Sequence, residues 1–220
     1  MFPNWAKNII LLLVYMISGL VLVIIIEGLL SGNELIPLNT AIEQVVMRMR
    51  TPIITNFLVL VTRMGNPSVL LSLTTLVAIL LYMKRRRYDA VLFVSTMAVT
   101  VISLTILKNT FQISRPGYGI IEASGWSFPS GHASLATAFF FILIYTFIGR
   151  VKDTWRKTLL VAASIIAAIL ICFSRLYLGA HWTLDILAGI ALGVLSVSFT
   201  LLVFNIFLEN RRSLRERIRP

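Results

Sequence analysis

Residues 8–30 read NIILLLVYMISGLVLVIIIEGLL, an apolar run with a single charge, Glu27. At 1.5 Å of rise per residue this makes a helix of about 35 Å, enough to cross a hydrocarbon core of about 30 Å. Backbone in lipid must satisfy its own hydrogen bonds, so the stretch predicts a transmembrane helix. It is too long for a signal peptide and lacks a small-residue cleavage site, so it reads as an uncleaved first helix. Five further apolar runs follow, at 67–83, 89–108, 131–149, 157–173 and 183–207. Together they predict an all-α polytopic membrane protein, with six transmembrane helices in one domain over residues 1–220.

Composition agrees. Of 220 residues, 58% are hydrophobic and 13% charged, about half the charge of an ordinary soluble domain. The net charge of +11 would raise nucleic acid as a partner in a soluble protein. Here the cations fall at the ends of apolar runs, so no nucleic-acid partner is expected. Cys172, the only cysteine, excludes an intrachain disulfide.

The cations divide unequally between the two ends of the runs. Fourteen of the 20 basic residues lie on one side: Lys7, the Lys84–Arg87 cluster, Arg150, Lys152, Arg156, Lys157 and five arginines of the tail. The positive-inside rule puts both termini in the cytoplasm. The outer segment 31–66 carries structure of its own. Thr40 and Glu43 fit a capping box, and Ala41, Ile42, Val45, Val46 and Met49 form an apolar stripe opposed by Glu43, Gln44 and Arg48. Pro52 is expected to end that helix, with a second short piece from Ile53 to Val61. Both pieces fit helices at the outer membrane surface or helices packed on the bundle.

The two histidines, His132 and His181, each sit at the outer end of an apolar run, beside a glycine or one residue from it. Asp185 follows His181 by four residues, which on a helix places both side chains on one face. The carboxylate would hold one imidazole nitrogen and leave the other free to attack. Asp185 lies in an apolar run, where an unpaired carboxylate costs roughly 2.5–3.5 kcal/mol, and His181 is its nearest partner. In Pro129-Ser130-Gly131-His132, Ser130 can cap the helix that follows, and the helix end favours an anion. Lys108, Arg115 and Arg175 add three cations, two with guanidinium groups that match phosphate oxygens in pairs. No carboxylate cluster is present to hold a metal, so these cations must neutralise a phosphoryl group themselves.

Lys108, six residues, Arg115-Pro116; Pro129-Ser130-Gly131-His132; and Ser174-Arg175, five residues, His181, three residues, Asp185 resemble the three motifs of the type 2 phosphatidic acid phosphatase family. They are complete and in order. The resemblance implies that His181 is the nucleophile, Asp185 its orienting partner and His132 the acid and then the base. It further implies that Lys108, Arg115, Ser130, Gly131 and Arg175 hold the phosphoryl oxygens and that no metal or other cofactor takes part. Soluble vanadium haloperoxidases share this type of pocket, but an apolar six-helix chain does not look like one.

The expected function is therefore hydrolysis of a lipid phosphate in a bacterial cell membrane, at the outer face. Phosphatidylglycerophosphate is the first expected substrate and undecaprenyl pyrophosphate the second, since the motifs bind the phosphate both share. An inactive lipid-binding or transport protein is the rival class, and the presence of both histidines and Asp185 speaks against it. Glu27 reads as a snorkelling interfacial residue or a headgroup contact. Gly189 and Gly193 read as tight helix packing rather than a dimer interface. Trp126 and Trp182 mark the membrane interface or line the lipid's path.

Overall fold

The computed structural model describes residues 4–31 and 35–218, with side chains at 5–31 and 40–207; the tail arginines at 211–219 lie outside the described side chains. All regular structure among the described residues is helical: α1 (Asn4–Ser31), α2 (Leu35–Arg48), α3 (Pro52–Met64), α4 (Pro67–Met83), α5 (Arg87–Phe111), α6 (Gly131–Ile148), α7 (Thr154–Tyr177) and α8 (Thr183–Ile218). Five helices are long and apolar enough to cross a membrane: α1, α5, α6, α7 and α8 to Phe207. The expected span at 67–83 is α4, equally apolar but shorter at 17 residues. The chain is an integral membrane protein of the all-α class.

The bundle is built around α6, which packs against α4, α5, α7 and α8. Its first turns carry Ala133, Ser134, Ala136, Thr137 and Ala138, all buried, and small side chains let neighbouring backbones come close. The closest neighbour is α8. A Cβ on Gly189 would stand 2.8 Å from Ser130 O and from Ala133 Cβ, and one on Gly193 would stand 2.7 Å from Thr137 Cβ. This glycine pair is a packing seam inside the chain, as its spacing suggested. Leu92, Phe93, Met97, Leu135, Phe139 and Ile142 fill the space between α5 and α6. On the outside, side chains such as Leu13, Ile17, Val23, Ile102, Ile166 and Phe207 are exposed, a surface suited to lipid. Four buried hydroxyls are satisfied within their own helices: Thr96, Thr100, Ser196 and Thr200 each donate to the carbonyl four residues back.

The segment between α1 and α4 departs from its reading in three ways. α2 begins at Leu35, so Thr40 lies inside the helix and the proposed capping box is not its start. Pro52 begins α3 rather than ending α2, in the first-turn position where proline's missing N–H costs nothing. Glu43, expected on the polar face, is 3% exposed and accepts from Thr183 N at 3.5 Å. The carboxylate is drawn inward because the free N–H groups at the start of α8 lie there. The two helices meet at 119°, with α3 along α7 and α2 across α7 and α8. Arg50, at their corner, donates to Tyr177 O at 3.0 Å and Tyr118 O at 3.2 Å. Thr51 N donates to the buried Tyr177 hydroxyl at 2.8 Å. The segment is thereby bolted to the turn that follows α7.

Candidate active site

Each predicted site residue sits at a helix end or in an adjoining turn, on one side of the bundle. Lys108 occupies the last turn of α5, which stops at Gln112 in left-handed conformation (φ 47°). Arg115 follows on the extended stretch leading to α6. Ser130 caps α6, accepting from Ala133 N, and this places Gly131 and His132 in the first turn. Arg175 is in the last turn of α7. Gly179 then turns the chain at φ +69°, where a Cβ would meet Arg50 Nη2 at 2.8 Å, and His181 follows two residues on. Asp185 is in the first turn of α8. The main chain ties the second and third motifs together, since Ser130 N donates to Asp185 O at 2.9 Å.

His181 is 2% exposed and Asp185 1%. His181 Nδ1 lies 3.4 Å from Asp185 Oδ2 and 3.3 Å from Ser127 Oγ. Ser127 Oγ donates to the same Asp185 oxygen in a short hydrogen bond, and Trp182 N donates to it at 3.0 Å. On the other side of the ring, His181 Nε2 lies 3.2 Å from Arg115 Nη1. A guanidinium can only donate, so Nε2 accepts and the ring proton belongs on Nδ1. Burial, with Arg115, Arg175 and Lys108 nearby, holds the His181 pKa well below the ordinary imidazole value. The result is a neutral imidazole whose free lone pair points at cations.

Those cations are themselves placed by protein carbonyls and hydroxyls. Arg115 donates from Nη1 to Ala180 O at 2.7 Å, from Nε to Gly125 O and from Nη2 to Ser124 O, both at 2.9 Å. Lys108 Nζ donates to Trp126 O in a short contact. Arg175 Nη1 donates to Thr62 Oγ1 at 2.8 Å. The main chain of Thr62 also faces the His132 ring.

A cavity of about 570 Å³ opens above this floor, and Lys108, Arg115, Gly131, His132, Arg175 and His181 all line it. Asp185 stands behind His181. Ser130, expected on the phosphoryl group, is fully buried, and its hydroxyl serves as the α6 cap. Trp126 lines the cavity, whereas Trp182 bonds Ser114 O and stacks edge-on against Tyr118. Glu27 is exposed and does not line the cavity. The sequence reading passed over Ser127, Thr62 and Arg50. Ser127 had a signal, lying just ahead of Pro129-Ser130-Gly131-His132. Thr62 and Arg50 had none, because their partners lie far along the chain, 113 residues from Thr62 and 127 and 68 residues from Arg50.

The family profile for the PAP2 superfamily matches residues 89–209. Phosphatidylglycerophosphatase B of Bacillus subtilis is 26% identical over 78% of this chain and 86% of its own length. An undecaprenyl-diphosphatase of Sulfolobus acidocaldarius is 28% identical over 84% of each. The crystal structure of a transmembrane PAP2-type phosphatidylglycerolphosphate phosphatase from Bacillus subtilis superposes with a TM-score of 0.73 at 23% identity, covering 97% of this chain and 98% of that one.

Proposed function

We propose a substrate and a mechanism for this chain, which belongs to the PAP2 superfamily. It is an integral membrane lipid phosphatase. The proposed reaction is hydrolysis of phosphatidylglycerophosphate to phosphatidylglycerol and phosphate through a phosphohistidine on His181. The observation behind it is the two-sided setting of that ring, with Asp185 and Ser127 on Nδ1 and the Nε2 lone pair toward the cationic cavity.

In the first step Nε2 attacks phosphorus, the bond from phosphorus to the glycerol oxygen breaks, and protonated His132 gives that oxygen its proton. In the second step His132, now neutral, takes a proton from water as the water oxygen attacks phosphorus. The N–P bond breaks, and phosphate leaves. Asp185 stabilises the charge that the His181 ring acquires on bonding to phosphorus. Lys108, Arg115, Arg175 and the α6 N-terminus at Gly131 hold the phosphoryl oxygens, supplying the positive charge without a metal. Ser130 contributes by fixing that N-terminus.

The cytoplasmic face is proposed to be the end opposite the cavity. α4 and α6 both start at the cavity and run away from it, so Lys84–Arg87 and Arg150–Lys157 share the far end. Arg86 and Arg150 meet there on Asp89, at 2.7 and 3.0 Å. The cavity then opens at the outer face of a bacterial cell membrane.

The name of the Bacillus relative supports phosphatidylglycerophosphate, and that of the Sulfolobus relative supports undecaprenyl diphosphate as the second reading. Phosphate release by purified protein, in excess chelator, from these two lipids and from phosphatidic acid tests the assignment. The highest kcat/KM should fall on phosphatidylglycerophosphate. A clear preference for undecaprenyl diphosphate would transfer the assignment to the second reading, and activity only with added magnesium would overturn the metal-free mechanism.

A further inference from the structure

Four cations line the cavity, and three of them have protein partners already described: Lys108, Arg115 and Arg175. The fourth is Arg63, in the last turn of α3 and exposed. Among the described residues its guanidinium has neither an ion pair nor a hydrogen bond. It stands one residue beyond Thr62, the hydroxyl that holds Arg175, so it occupies the same wall as the catalytic cations. A basic residue at a helix C-terminus complements the helix dipole. That accounts for a cation here, but not for its facing a cavity already rich in positive charge.

Asn66 lines the same wall. Its Oδ1 accepts from Ser68 N at 3.1 Å and from Ser68 Oγ at 2.7 Å, which leaves its amide NH₂ as a donor. Glu122, on the loop before α6, is the one carboxylate among the lining residues; among the described residues it forms no ion pair, so Arg63 is not neutralised by it. The cavity is of the size that takes a whole small ligand and is larger than one phosphoryl group requires.

We propose that Arg63 and Asn66 form a second anion subsite, which binds a phosphate of the lipid other than the one removed. This rests on the reading that the His181 cavity takes a lipid phosphate. Guanidinium and amide donors suit phosphate oxygens. Phosphatidylglycerophosphate carries such a second group as its phosphodiester, and a prenyl diphosphate carries it as the ester phosphate. Phosphatidic acid carries none. The subsite therefore selects lipids with two phosphates.

The test is steady-state kinetics in detergent micelles with phosphatidylglycerophosphate, farnesyl diphosphate and phosphatidic acid, comparing wild type, Arg63→Ala and Arg63→Lys. Arg63→Ala should raise KM for at least one two-phosphate lipid about tenfold more than for phosphatidic acid, and Arg63→Lys should recover part of the loss. A KM change of equal size on all three lipids, or no change on any, overturns the subsite. These outcomes are separate from the substrate assignment. A wild-type enzyme that ignores phosphatidylglycerophosphate but cleaves farnesyl diphosphate refutes the assignment and still tests Arg63 on the diphosphate. A wild-type enzyme that cleaves phosphatidic acid alone refutes both.

Discussion

Ser127 Oγ stands 3.3 Å from His181 Nδ1, although 54 residues separate the two in the chain. The same hydroxyl donates to Asp185 Oδ2, so serine, histidine and aspartate form a closed triangle in which the Nδ1 proton is shared between two oxygens. Ser127 is fully buried. Ser127→Ala should lower the rate of phosphate release roughly tenfold to a hundredfold, as expected when the group that aligns a nucleophile is lost. KM should change little. If kcat is unaffected in a variant that elutes and melts like wild type, Ser127 is a packing residue only.

The two histidines should separate by leaving group. His181→Ala should show no phosphoenzyme and lose at least about a thousandfold in rate, roughly 4 kcal/mol of barrier, on every substrate. His132→Ala should hurt a monoester more than a diphosphate, since an alkoxide needs the proton that a prenyl phosphate leaves without. Acid-quenched trapping with labelled substrate checks the roles. Label on His181→Ala but not on His132→Ala would reverse them.

Protonation of His181 is directly measurable, because the chain has only two histidines. With its pKa held down by burial and by Arg115, Arg175 and Lys108, ¹⁵N spectra in micelles should show a neutral ring at pH 6.5 with the proton on Nδ1. An unperturbed histidine would be about half protonated there, and His181→Ala identifies the signal. The folded value lies below the unfolded one. The neutral ring's contribution to stability is thus complete above about pH 6.5 and is lost as pH falls from there toward the depressed folded value. A half-charged His181 at pH 6.5 would contradict the two-sided geometry.

Gly189→Ala should both destabilise the fold and disturb the site, because the new Cβ meets Ser130 O, the backbone that precedes His132, at 2.8 Å. Overpacking of this kind costs about 1–3 kcal/mol, visible as a lower melting temperature in detergent together with reduced activity. Gly149→Ala, where nothing lies within 4 Å of the added carbon, should do neither. Equal melting temperatures for the two variants would show that α6 and α8 can part freely.

Orientation is tested by single cysteines at Lys84 and Glu122, both exposed, at the far end of the bundle and at the cavity rim. An impermeant thiol reagent applied to intact cells should label position 122, and position 84 only after the membrane is opened. Cys172 is buried and should stay silent. Labelling of both positions from the same side would rule out the proposed arrangement.

Much of this protein was legible in its sequence because two of its constraints are local. A helix in lipid is announced by its own apolar run, so α1, α4 to α7 and the start of α8 could be placed within a few residues, whereas α8 continues to Ile218, past its apolar run. His181 and Asp185 share a helix face by spacing alone, and Ser130 caps the helix that it precedes. The cations Lys108, Arg115 and Arg175 were visible as charges with no acidic neighbour but Asp185 and Glu122. The tertiary structure decided whatever depends on which distant backbones touch. It put Ser127 between His181 and Asp185, and it placed Thr62 on Arg175. It drew Glu43 inward to the start of α8 and left Arg63 facing the cavity without a partner among the described residues. These residues are ordinary serines, threonines and charges, whose side chains favour no particular partner. Their roles come from close packing of α6 on α8 and from the α2–α3 corner locked over Tyr177, contacts that no local run of residues encodes.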